Sequence, residues 1–121
     1  MSKNGQKEII TIQNSTIQPI QVNVPEYISC CGLDVMTKDL LTKYTWYQAL
    51  GACPEGWRLP TIRELECLCN NTKYLGYIGK QYWSSDDSYK DNYAKSRTFN
   101  DCKEEVEKKG DRYFCRCVRN R

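Results

Sequence analysis

Histidine is missing from the 121 residues of this chain. That removes the usual general base near neutral pH, the serine and cysteine triads built on imidazole, and the commonest zinc ligand. Long apolar stretches are missing too: none approaches the roughly 18 residues of a membrane-spanning helix, so no membrane insertion is expected. The opening "MSKNGQKEIITIQN" has no apolar export core, small-residue cleavage site or lipid-attachment motif. It predicts synthesis in the cytoplasm without a signal peptide. Aliphatic residues are scarce, with Leu, Ile, Val and Phe at 8, 8, 5 and 2. Alone that would suggest disorder, but a net charge of only +3 beside 3 Trp and 9 Tyr points to a small, aromatic-rich core. The basic residues near the end alternate with acids in "CKEEVEKKGDR", as on a solvated hairpin, and no nucleic-acid partner is expected.

Cysteine, by contrast, is plentiful: Cys30, Cys31, Cys53, Cys67, Cys69, Cys102, Cys115 and Cys117. In a chain without an export signal, eight thiols stay reduced, bind metal, or oxidise after release from the cell.

Residues 1–27 differ from the rest. They hold no cysteine and no aromatic before Tyr27, and "EIITIQNSTIQPIQVNV" alternates β-branched with polar residues. Two short strands are expected around Asn14-Ser15, with Ile10 and Ile12 on one side and Ile20, Val22 and Val24 on the other. Pro19 and Pro25 suit an edge or an extended arm. Such an arm either folds onto its own domain or adds a strand to a neighbouring subunit. The division is an assembly arm over 1–27 and a domain over 28–121.

In "YTWYQALGAC", Thr45 and Gln48 form a capping box, and Trp46, Ala49, Leu50 and Cys53 follow as one buried stripe. Pro54 and Gly56 stop that helix. Pro60 ends a short extended segment, Thr61 and Glu64 form a second capping box, and "TIRELECLCN" is a second helix. At 100° per residue, Ile62, Leu65 and Cys69 share a face while Cys67 lies about 160° from Cys69. That divergence speaks against both thiols gripping one ion. Beyond the loop "NNTKYLGYIGK", "QYWSSD" and "NYAKSRTF" read as strands. "CKEEVEKK" is expected to pair with "RYFCRCVR" around Lys109-Gly110-Asp111, placing Cys115 and Cys117 on one face. The pattern is α+β.

The series "TWYQAL", "GWRLPTIREL", "YWSS" and "RCVR" resembles the Fibrobacter major paralogous domain and its relatives over residues 44–119. These are lectin-like domains abundant in Bacteroidetes and their phages. The resemblance implies a C-type-lectin-like fold, with two helices flanking a small, mostly antiparallel sheet, preceded here by the extended arm. Thr45, Trp46, Trp57, Arg58, Pro60, Glu64, Trp83 and Arg119 carry the signature. The resemblance also implies a Cys53–Cys117 disulfide, core positions for Trp57 and Trp83, and an anchoring role for Arg58 through Glu64. The chain departs from calcium-dependent sugar binders of this fold in lacking Glu-Pro-Asn, Gln-Pro-Asp and Trp-Asn-Asp.

In "SSDDSYKDN", Asp86, Asp87 and Asp91 cluster without the spacing of a calcium loop, which reads as a solvated turn. A zinc ion on four cysteines is the metal alternative, weakened by the absence of a CxxC knuckle. Further disulfides are the other, with partners open. No catalytic residue, cofactor or metal is assigned.

The expectation is a non-catalytic phage virion protein, a capsid-decorating, head-fibre or tail-fibre component. Its partners are other virion proteins or itself as a homo-oligomer, with a host-surface glycan as a further ligand. The alternative is a bacterial surface or secreted adhesin. Tyr74, Tyr77, Tyr89 and Tyr93 either line a ligand surface or pad a Leu-poor core.

Overall fold

The computed structural model describes residues 26–71 and 79–121. The arm positions Ile10, Ile12, Ile20, Val22 and Val24, and the loop tyrosines Tyr74 and Tyr77, lie outside the described residues.

Strands β1 (Tyr27–Cys30) and β2 (Leu33–Met36) form a hairpin. Its two-residue turn puts Cys31 at φ 59° and Gly32 at φ 74°, the left-handed pair that matches strand twist. After the helices α1 (Trp46–Ala49) and α2 (Ile62–Cys69) come β3 (Gln81–Asp87), β4 (Tyr93–Thr98) and β5 (Lys103–Lys108), and the chain closes with β6 (Val118–Asn120). Among the described residues two antiparallel three-stranded sheets result, ordered β1-β2-β6 and β3-β4-β5. The described residues are thus mostly β with two short helices, where the resemblance implied one small sheet flanked by them.

Strand pairing also differs from expectation. β5 pairs with β4, Tyr93 opposite Lys108 and Thr98 opposite Lys103. The closing segment joins the first sheet instead, with Val118 opposite Val35 and Asn120 opposite Leu33. The physical reason is burial. Cys115, Arg116, Cys117 and Val118 are all buried, so this segment cannot serve as one strand of a solvated hairpin. The Lys/Glu-rich β5 suits the edge, where charges blunt further pairing. Cys115 and Cys117 therefore lie on no common strand face.

Both capping boxes form: the Thr45 and Thr61 hydroxyls accept from the amides of Gln48 and Glu64, whose side chains accept in return from the cap amides. α1 is only one turn, so its expected stripe is cut short; Leu50, at its end, is 49% exposed. α2 runs eight residues and buries Ile62, Leu65, Leu68 and Cys69. One core cluster gathers that face with Leu33, Val35, Val118, Tyr82 and Phe99, between the sheets. A second surrounds Trp83 with Trp46, Ala49, Leu59, Ala94 and Cys115. Aromatic rings thus fill the space that aliphatic side chains would otherwise take.

Candidate functional site: an aromatic and carboxylate cleft

Two turns meet beside α1 and leave a cleft of about 580 Å³ lined by Tyr47, Asp91, Asn92, Tyr93, Lys108, Lys109, Gly110 and Asp111. Backbone hydrogen bonds lock the turns together: Trp46 N–H donates to the Lys109 carbonyl at 3.0 Å, and Lys109 N–H to the Asn92 carbonyl at 2.8 Å. Asn92 sits at φ 66°, a left-handed conformation that asparagine tolerates better than most residues. The ammonium of Lys109 contacts the Asp87 carboxylate at 2.9 Å and lies 4.7 Å from the Trp46 ring centre. Trp46 is fixed in turn by its indole N–H, which donates to the Ser84 carbonyl at 2.9 Å. The Lys109 hydrogen bond, followed by the Ser88 amide, holds the exposed Asp87 carboxyl below its usual range.

Tyr47 is 60% exposed, and Tyr93 faces Lys90, whose ammonium lies 4.1 Å from its ring centre. Two tyrosine rings beside the Asp91 and Asp111 carboxylates and the Asn92 amide offer an apolar face for stacking and acceptors for hydroxyl or amide hydrogens. Such a combination suits recognition of a polar ligand with one apolar face.

Of the expected ligand tyrosines, Tyr93 lines this cleft and Tyr89, 98% exposed, stands on the turn that forms its edge. Tyr47, Asn92, Lys109 and Asp111 were not read as site residues. These residues come together only through tertiary pairing. The three carboxylates of "SSDDSYKDN" separate into different tasks. Asp86 accepts from the Ile62 amide at 2.7 Å, at the start of α2, Asp87 holds Lys109, and Asp91 faces the cleft. Among the described residues no three cysteine or acidic side chains come together as a metal site.

The signature residues mostly build the scaffold. Trp83 is fully buried and donates its indole N–H to the Tyr44 carbonyl at 2.7 Å. Pro60 is buried beside Leu59. Arg58 grips Glu64 with two bonds, of 2.8 and 2.9 Å, and reaches the Asn120 side chain at 2.6 Å. Its hydrogen bonds outweigh burial and hold the Glu64 carboxyl below the usual range. Trp57 is half-buried rather than central, with the Arg119 guanidinium 4.3 Å from its ring centre and Tyr27 edge-on at 5.8 Å. Arg119 also pairs with Asp34 at 2.9 Å.

Six cysteines are bonded, as Cys31–Cys67, Cys53–Cys117 and Cys69–Cys102. Cys30 and Cys115 remain thiols, so four thiolates are not available for the all-cysteine zinc site considered from the sequence. The opposed directions of Cys67 and Cys69 on α2 send them to different partners.

A buried ionic cluster forms the second feature. Asp39 accepts from Arg116 Nε at 2.8 Å, Tyr82 Oη at 2.8 Å and Lys80 Nζ at 2.9 Å. Burial opposes the charge on Asp39, but these donors and Arg116 outweigh it and keep the carboxyl below its ordinary range. Burial, reinforced by Asp39, pushes the Tyr82 phenol up. Arg116 also donates through Nη1 to the Met36 carbonyl at 2.9 Å, so the cluster ties Met36–Asp39 to the closing segment.

Comparison with known proteins adds family membership. The family model described as the Lcl C-terminal domain matches residues 30–119, spanning the motifs from "TWYQAL" to "RCVR" and beginning at the first cysteine. The comparison with curated proteins found no significant match. With most of its length covered by that one match, the chain belongs to the Lcl C-terminal domain family.

Proposed function

We propose that this chain is a non-catalytic recognition module with a C-type-lectin-like fold, which binds a glycan through the cleft between Tyr47 and Tyr93. The observation that carries the reading is the cleft itself: two tyrosine rings, two carboxylates and an amide on a framework of paired turns. Three disulfides support work outside a reducing cytosol. Carriage on a phage particle, as a decoration or fibre component that assembles with itself or other virion proteins through the N-terminal arm, suits a small disulfide-rich domain. A glycan array followed by calorimetry on the best hit tests the binding. Tyr47→Ala or Tyr93→Ala should weaken binding roughly tenfold or more, the loss of about 1.4 kcal/mol of stacking. Binding equal to wild type in both variants refutes the cleft. Sedimentation of native protein separates the settings: co-banding with capsid-bearing particles supports the virion, and banding with cell envelope supports a bacterial surface adhesin.

A further inference from the structure

The two unbonded cysteines occupy unlike places. Cys115 is fully buried in the Trp83 cluster, and burial, reinforced by Asp39, pushes its thiol up to about 12. Cys30 ends β1 half-buried, with its Sγ 3.6 Å from the Sγ of Cys31, which is itself bonded to Cys67. Neighbouring side chains on a strand point to opposite faces. The left-handed turn at Cys31 breaks that alternation and lets two adjacent sulfurs meet. Asn71, which follows α2, donates its amide to the Cys67 carbonyl at 2.8 Å and lies 4.0 Å from Cys31 Sγ. A thiol, a disulfide and a polar side chain are thus gathered where the first hairpin touches the helix.

We propose that Cys30, Cys31 and Cys67 form a thiol–disulfide exchange centre that moves the free thiol between strand β1 and helix α2. The Cys30 thiol first gives its proton to water. Its thiolate then attacks Cys31 Sγ, the Cys30–Cys31 bond forms, the Cys31–Cys67 bond breaks, and Cys67 leaves as a thiolate that takes up a proton. One thiol and one disulfide stand on each side, so no oxidant or reductant is consumed. The resting pairing dominates for two reasons. A disulfide between adjacent residues closes a strained small ring, and a Cys67 thiolate in the last turn of α2 faces the negative end of the helix dipole. The exchanged form is therefore a minor population that a trapping reagent draws out. The consequence is a modification site on α2: the Cys67 thiol, absent from the resting pairing, becomes available to electrophiles and to thiol-reactive partners.

The test treats native, oxidised full-length protein with iodoacetamide at mildly alkaline pH, quenches with acid at intervals, digests without reduction and maps the products by mass spectrometry. Label accumulating on Cys67, in molecules whose Cys30-Cys31 peptide is lighter by two hydrogens, is the expected result. Label confined to Cys30 with Cys31–Cys67 intact throughout the time course overturns the proposal. In Cys30→Ser, label at Cys67 should fall by about tenfold or more, since the attacking thiolate is gone. Undiminished labelling at Cys67 in that variant also overturns it. The wild-type mapping stands by itself if the variant misfolds.

Discussion

Alanine at both Cys53 and Cys117 removes the bridge between the segment after α1 and the buried closing segment, and the sequence separation of 64 residues sets the size of the loss. On the chain-entropy account, a loop of that length taken alone contributes about 4.3 kcal/mol. The other bridges reduce this figure. With Cys69–Cys102 intact, the unfolded chain already has a short cut: it runs from 53 to 69, crosses that bridge and returns from 102 to 117. The effective loop is then about 31 residues, and the expected contribution about 3.7 kcal/mol. Cys117 is fully buried, so loss of its sulfur leaves a small void costing about 1 kcal/mol more. A total of about 4–5 kcal/mol is a large part of the 5–15 kcal/mol typical of a domain. Urea unfolding without reductant should show a lower midpoint and a steeper slope, because the freed unfolded chain expands. Reduction of all three bridges removes about 11 kcal/mol on the same account and should unfold the wild type without denaturant. A double variant that loses under about 1 kcal/mol with an unchanged slope refutes the reasoning, because packing would then hold the fold without that cross-link.

The Arg58–Glu64 pair supplies a pH-dependent increment. The Glu64 carboxyl is held low in the folded state, so its contribution is fully present above the ordinary glutamate range near about 4.3 and is lost as pH falls through the lowered folded value. Glu64→Gln should cost about 1 kcal/mol at neutral pH, given that Arg58 is partly exposed, and should flatten the acid limb of a stability-versus-pH curve. An unchanged acid limb would contradict this. Asp39→Asn takes the carboxylate away from Arg116, whose side chain is 4% exposed. A loss of about 3 kcal/mol is expected in urea unfolding, and a loss below about 0.5 kcal/mol would mean that the cluster adds little.

Legibility in the sequence followed locality. α2 could be read because its signals lie within ten residues: a threonine cap, a glutamate three positions on, an apolar face at helical spacing, and thiols on opposed faces. α1 carried the same cap, but Gly51 and Pro54 follow too closely for its apolar stripe to continue as helix. The pairing of β2 with β6 was illegible because it joins Asp34 to Arg119 across most of the domain, with no local pattern to announce it. The cleft was half legible: Tyr89 and Tyr93 stood out on a polar turn, while Tyr47 and Lys109 reach it only through tertiary contacts. The disulfide partners of α2 were hidden for a further reason. Cys31 and Cys102 both sit at φ 59° in hairpin turns, positions where glycine or asparagine would be the readable choice. Cys67 joins α2 to the turn of the first sheet, and Cys69 joins it to the β4–β5 turn of the second. One eight-residue helix is therefore covalently tied to both sheets from its two faces. This explains how a chain so poor in aliphatic side chains holds two small sheets together, and why the thiols that looked unsuited to a shared metal ion are suited to this task.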